Sequence, residues 1–133
     1  IEINPHFHAV VSSIEDERLI AHLGSASDLT EIISLYGLEA PEAVVSGIPF
    51  STMSPEAGSQ ILEAVSSLLV PGGRFVAYQV SNRVATLCEP FLGSGQAATE
   101  LFNIPPLRVF QWEKHGVAGT VYPTRKRGGG GDQ

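Results

Sequence analysis

The residues best placed to do chemistry in this sequence lie in Ala43-Val44-Val45-Ser46-Gly47-Ile48-Pro49-Phe50. Val44 and Val45 are β-branched and favour a pleated backbone, so the octapeptide reads as a short buried strand running into a rigid turn. Gly47 admits a close approach that a side chain would resist, Pro49 fixes φ and removes a donor, and Ile48 before it is pushed toward extended geometry. A strand ending this way at the carboxyl edge of an open α/β sheet aims its turn into the crevice where ligands bind. Other chemistry-bearing residues are dispersed. His6, His8, His22 and His115 are scattered, and two residues two apart point different ways on a helix. No metal site is expected, for want of a third ligand. The single Cys88 excludes an intrachain disulfide and a multi-cysteine zinc site, and makes a reducing, intracellular compartment the default.

The chain that must position these residues is 133 residues long, one domain with enough length to bury a core. A net charge of -6 gives little support to extended binding of a nucleic-acid backbone, although it is compatible with a local basic patch. No apolar run approaches the roughly 20 residues of a membrane-spanning helix, and no N-terminal signal pattern is present. The opening Ile1-Glu2-Ile3-Asn4 has no initiating methionine and reads as the end of a strand already under way, which suggests a trimmed piece of a longer protein.

Pro5 suits a first helical turn, and Phe7, Val10, Val11 and Ile14 fall at i, i+3, i+4, i+7, an amphipathic helix face. Arg18 to Leu23 reads as a strand. Gly24 to Asp28 is a polar turn in which Ser27 or Asp28 caps a helix carrying Leu29, Ile32, Ile33 and Tyr36, with Gly37 as its left-handed end. After Phe50, Ser54-Pro55 caps a long helix with the stripe Ile61, Leu62, Val65, Leu68 and Leu69. Pro71-Gly72-Gly73 stops it, and Arg74 to Val80 follows as a strand with Phe75, Val76, Ala77, Tyr78 and Val80 as its apolar members. This alternation of strand and helix argues for a parallel sheet with crossover connections. Ser81 to Gln96 reads as a loop with at most one helix. Two late strands, Ala97 to Asn103 and Leu107 to Lys114, flank Ile104-Pro105-Pro106, and Val117 to Tyr122 reads as a further short strand. Residues 123–133, rich in arginine, lysine and glycine, read as a flexible tail. Its adjacent cations could contact anionic lipid, but a solvated terminus is the simpler reading.

Taken in order, these landmarks resemble a class I S-adenosylmethionine-dependent methyltransferase, in particular the small bacterial phospholipid N-methyltransferases that act on phosphatidylethanolamine. The resemblance spans roughly Ile1 to Lys114. It rests on Ile1-Glu2-Ile3-Asn4, Leu23-Gly24-Ser25-Ala26, Val44-Val45-Ser46-Gly47-Ile48-Pro49, Leu69-Val70-Pro71-Gly72-Gly73-Arg74-Phe75 and Asn103-Ile104-Pro105-Pro106-Leu107-Arg108-Val109. It implies an α/β, Rossmann-like sheet, mostly parallel with late antiparallel strands, over a partial methyltransferase domain at 1–122 that lacks the first strand and the glycine-rich loop. It also implies a cytoplasmic enzyme, peripheral to the inner face of the membrane, that uses S-adenosylmethionine and meets phospholipid rather than nucleic acid.

Carried onto this sequence, the resemblance makes Glu2 the acceptor of hydrogen bonds from the donor's ribose hydroxyls, as a strand-end carboxylate does in dinucleotide folds. Ile3 packs on the adenine, Ser25 and Ala26 edge it, and Ser46 borders donor and transfer site alike. Ser46 and the Gly47 carbonyl accept hydrogen bonds from the acceptor amine, and Pro49 and Phe50 form the apolar wall of the transfer site. No general base is implied, since the sulfonium already activates the methyl and the protein chiefly desolvates and aligns a neutral amine. The sequence departs from the family in the missing glycine-rich loop, for which Gly93-Ser94-Gly95 is no substitute, and in the missing amphipathic N-terminal segment. Weak donor binding is expected as a consequence. Two alternatives stand beside this reading. One is an adenine methyltransferase acting on ribosomal or other nucleic acid, against which count the charge and Gly47, which stands where those enzymes carry an asparagine. The other is a non-catalytic α/β binding module.

Overall fold

The computed structural model describes residues 1–100, 102 and 104–116. The strand expected over 117–122, the tail at 123–133, and Asn103 of the Asn-Ile-Pro-Pro segment lie outside the described residues.

Side-chain caps start α1, the 3₁₀ turn before α2, and α3. The Asn4 side chain accepts the His6 amide proton at 2.9 Å, and Pro5 occupies the first turn of α1 (Pro5–Ser12). Ser25, rather than the expected Ser27 or Asp28, caps a short 3₁₀ turn over Ala26–Asp28, which leads into α2 (Leu29–Leu35). Gly37 ends that helix at φ +60°, a conformation glycine adopts without a Cβ penalty. The Ser54 hydroxyl accepts the Ala57 amide proton and Pro55 opens α3 (Pro55–Leu68).

Four strands form one sheet. β1 (Ala43–Ser46) pairs in parallel with β2 (Arg74–Gln79), the two being joined through α3. β4 (Leu107–Glu113) lies antiparallel to β2, and β3 (Gln96–Glu100) antiparallel to β4, giving the order β1-β2-β4-β3. The parallel part thus comes first and the antiparallel part last. The stretch after β2 is more regular than its sequence suggested: α4 (Arg83–Leu92) fills most of it and buries Val84, Cys88 and Leu92 along one side.

The core lies on one face of this sheet. Phe75 and Ala77 of β2 and Phe110 and Trp112 of β4 meet Ile61, Leu62 and Val65 of α3 and Val84 and Cys88 of α4. Trp112 stacks on Phe75 with ring centroids 5.3 Å apart and on Phe110 at 5.9 Å. Gly95 makes room for the indole, because a Cβ there would sit 2.5 Å from it.

The N-terminal stretch is built differently. The strand expected over Arg18 to Leu23 is reduced to one parallel bridge between Glu2 and Leu23. A strand needs a ladder of partners to hold its backbone groups, and here only the Glu2 backbone supplies them. The apolar stripe of α1 is likewise exposed at Phe7 and Val10, and α1 buries no residue. Among the described residues no helix is long and apolar enough to cross a membrane.

Candidate functional site

The Glu2–Leu23 bridge fixes one wall of the site. The Glu2 amide donates to the His22 carbonyl at 2.9 Å, and the Gly24 amide donates to the Glu2 carbonyl at 3.0 Å, which sets the carboxylate beside the Gly24-Ser25-Ala26 turn. Glu2 Oε1 accepts the Asn4 amide proton at 2.7 Å, leaving Oε2 to take a ligand donor. Ser25 Oγ accepts the Ser27 amide proton at 3.1 Å, so its role as a cap uses one lone pair and leaves its own proton to give.

The opposite wall is the carboxyl end of β1 and the turn behind it. Ser46 Oγ accepts the Ile48 amide proton at 3.2 Å, and the buried Gln79 donates through Nε2 to the Ile48 carbonyl. Two side chains therefore hold the turn from within. Gly47 is required by its neighbour. The ring of Tyr78 lies against its Cα, and a Cβ there would come within 2.6 Å of Tyr78 Cζ. The pairing explains the contact: Ser46 is opposite Ala77, so the next residues, Gly47 and Tyr78, meet side by side on the sheet.

Between the walls lies a cavity of about 540 Å³, within the usual size range of small-molecule sites. Ile1, Glu2, Ile3, Gly24, Ser25 and Ala26 line one side, and Val45, Gly47, Ile48, Pro49, Met53, Ile61 and Tyr78 the other. Glu2 is the one charged side chain among them. A smaller cavity of about 170 Å³ adjoins the same bend and includes Ser46. Among the described residues no group of three or more His, Cys, Asp or Glu side chains is placed to hold a metal ion.

Of the residues singled out from the sequence, Glu2, Ile3, Ser25, Ala26, Gly47 and Pro49 come together around the larger cavity. Ser46 does not line it. Its hydroxyl closes the turn and it faces the smaller cavity. Phe50 must be corrected outright. Instead of walling the site, it is 0 % exposed and belongs to the core. The 3₁₀ turn at Phe50–Thr52 carries the ring into the core cluster that holds Leu62 of α3 and Val84 and Cys88 of α4. Tyr78 is the residue that sequence reasoning missed. By composition it belongs with the apolar members of its strand, yet strand alternation from buried Phe75 and Ala77 puts it on the opposite face.

No family model matches the sequence, and no curated protein matches it. Among solved structures, the chain is similar to an rRNA methylase from Streptococcus thermophilus, with 14% identity and a TM-score of 0.62 over 86% of this chain and 71% of that one. It is also similar to a T. thermophilus 16S rRNA N2 methyltransferase in complex with AdoMet and guanosine, with 21% identity and a TM-score of 0.45 over 71% of this chain and 29% of that one. The first likeness establishes a shared fold.

Proposed function

We propose that this chain, whose fold is the Rossmann-like fold of a methyltransferase, is an S-adenosylmethionine-dependent N-methyltransferase. The observation that carries the proposal is the single cavity that unites Glu2 and the Ser25-Ala26 turn with the Gly47-to-Pro49 bend. The residues present fit the nucleoside of the donor: Glu2 offers a free carboxylate oxygen to a ribose diol, and Ile3, Ser25 and Ala26 offer an apolar and weakly polar edge to a base. None of the lining residues belongs to a glycine-rich strand-to-helix turn, so the proposal rests on the nucleoside end and on the acceptor end of the site. When bound, S-adenosylmethionine supplies an activated methyl: the acceptor nitrogen's lone pair forms the N–C bond as the C–S bond breaks, sulfur keeps that pair, and the nitrogen's proton leaves to solvent.

As acceptor, an amine on a nucleobase in RNA is favoured over a phospholipid headgroup. A solved structure of like fold is an rRNA methylase, and the aromatic residue on the cavity wall is the half-exposed Tyr78. Phosphatidylethanolamine as substrate, and a membrane surface as partner, find no support in the comparisons.

Titration with S-adenosylhomocysteine, followed through backbone amide resonances, tests the reading and detects weak binding. Shifts are expected at Glu2, Ile3, Ser25, Ala26 and Gly47, with affinity falling about tenfold to a hundredfold in Glu2→Gln, the range for a hydrogen bond to a charged group. Absence of shifts at millimolar ligand, or full affinity in Glu2→Gln, overturns it. Methyl transfer from labelled donor to bulk ribosomal RNA, run beside phosphatidylethanolamine vesicles, separates the two acceptors.

A further inference from the structure

The geometry points to Tyr78 as the residue that recognises the acceptor amine, an inference that rests on the methyltransferase reading. With Phe50 withdrawn into the core, Tyr78 is the one aromatic residue among those lining the larger cavity. Its ring tip is held against Gly47, where a side chain would displace it. Gly47 and the donor-side Glu2 share the cavity. The Tyr78 hydroxyl therefore stands at a defined place on the acceptor wall. The residue is 46% exposed, and its hydroxyl has no hydrogen-bond partner among the described residues.

A phenol oxygen without a partner accepts as well as donates. Held on this wall, it takes one N–H of a primary amine and leaves the nitrogen lone pair to face the donor side. Ser46 does not do this, because it does not line the larger cavity. The glycine at position 47 thus acquires a role beyond flexibility: it gives the ring its seat. The substrate class that follows is a planar nucleobase bearing an exocyclic amine. Such a base has an edge for the hydroxyl, and it matches the apolar bend formed by Ile48 and Pro49.

The test uses the full chain with S-adenosylhomocysteine present, and compares adenosine and guanosine with purine riboside and inosine, which lack the respective amines. Binding is read from the amide of Gly47 and the ring resonances of residue 78. The native chain is expected to prefer one amine-bearing nucleoside over its amine-free counterpart by about threefold to tenfold, the range for a neutral hydrogen bond. Tyr78→Phe, which keeps the ring over Gly47, is expected to lose that preference with an unchanged thermal midpoint and unchanged S-adenosylhomocysteine affinity. Equal binding of both members of each pair by the native chain overturns the inference. So does a preference that survives in Tyr78→Phe, or selective binding of phosphoethanolamine in place of a nucleoside. Failure of S-adenosylhomocysteine to bind at all refutes the underlying methyltransferase reading instead, and removes the inference with it.

Discussion

Val65 and Val10 both lie on the apolar stripe of a helix begun by a proline, yet Val65 is 2% exposed and Val10 is 59% exposed. The first belongs to α3, which packs on the sheet and on α4; the second belongs to α1, which buries none of its residues. The same contrast runs through the whole molecule. On the packed side, Phe75, Phe110 and Trp112 stack beneath two helices. On the open side stand Ile1, Ile3 and the outward face of β1, where Val45 is exposed. The cavity lies on the seam between the two, lined by Ile61 of the core and Ile3 of the open segment alike. A site placed there has one rigid wall and one wall held by a two-residue bridge, so ligand binding is expected to order the second against the first.

The sharpest way to break this comparison is at Phe50, which sequence reasoning had placed in the site. Phe50→Ala is expected to destabilise the fold by about 3–5 kcal/mol, the range for a buried phenylalanine. A chemical denaturation curve checks it, and a loss below about 1 kcal/mol would return the ring to the cavity. Val65→Ala follows at about 2 kcal/mol from lost methyl burial and the space left behind. Next comes Cys88, whose burial pushes the thiol up from 9.0 to about 12. Its folded pKa is raised, so its contribution is fully present below pH 9 and is lost between pH 9 and about 12, where the unfolded chain ionises first. Stability is expected to fall by about 1 kcal/mol by pH 10, and a thiol reagent at neutral pH should label Cys88 only on unfolding. The smallest effect is expected for Val10→Ala, within about 0.5 kcal/mol. If Val10→Ala matched Val65→Ala in the same denaturation series, the open side would be as tightly packed in solution as the core, and the contrast would fail.

Much of the fold was legible because its signals are local. The Ser54-Pro55 start of α3, the i, i+3, i+4 spacing of Ile61, Leu62 and Val65, and the Pro71-Gly72-Gly73 stop depend only on near neighbours in the chain. The helix α4 was harder to read, since Pro90 and the glycines at 93 and 95 obscure the spacing of Val84, Cys88 and Leu92. The strand anticipated over Arg18 to Leu23 has the right apolar content. A strand, however, is completed by its neighbours, and only Leu23 pairs, through the Glu2 bridge. In the candidate site, Glu2 and Ser25 could be named through the resemblance, and Gly47 also because a glycine bend behind a strand is a chain-local feature. Nothing within Gly47-Ile48-Pro49-Phe50 specifies which way the phenylalanine turns. That was decided by the core cluster in which the ring is buried, with Val84 and Cys88 of α4 more than thirty residues along the chain.

Which segments coil, where they stop, and which positions offer a carboxylate, a hydroxyl or a bare backbone are written in the linear order of residues, because capping, periodicity and proline geometry act over a few bonds. Whether those positions share a cavity was a matter for the folded chain. Strand register set Tyr78 beside Gly47, core packing took Phe50 out of reach, and one backbone bridge brought Glu2 to the far wall. Each of these is an interaction between residues distant in sequence, and its outcome depends on how much room the other side leaves.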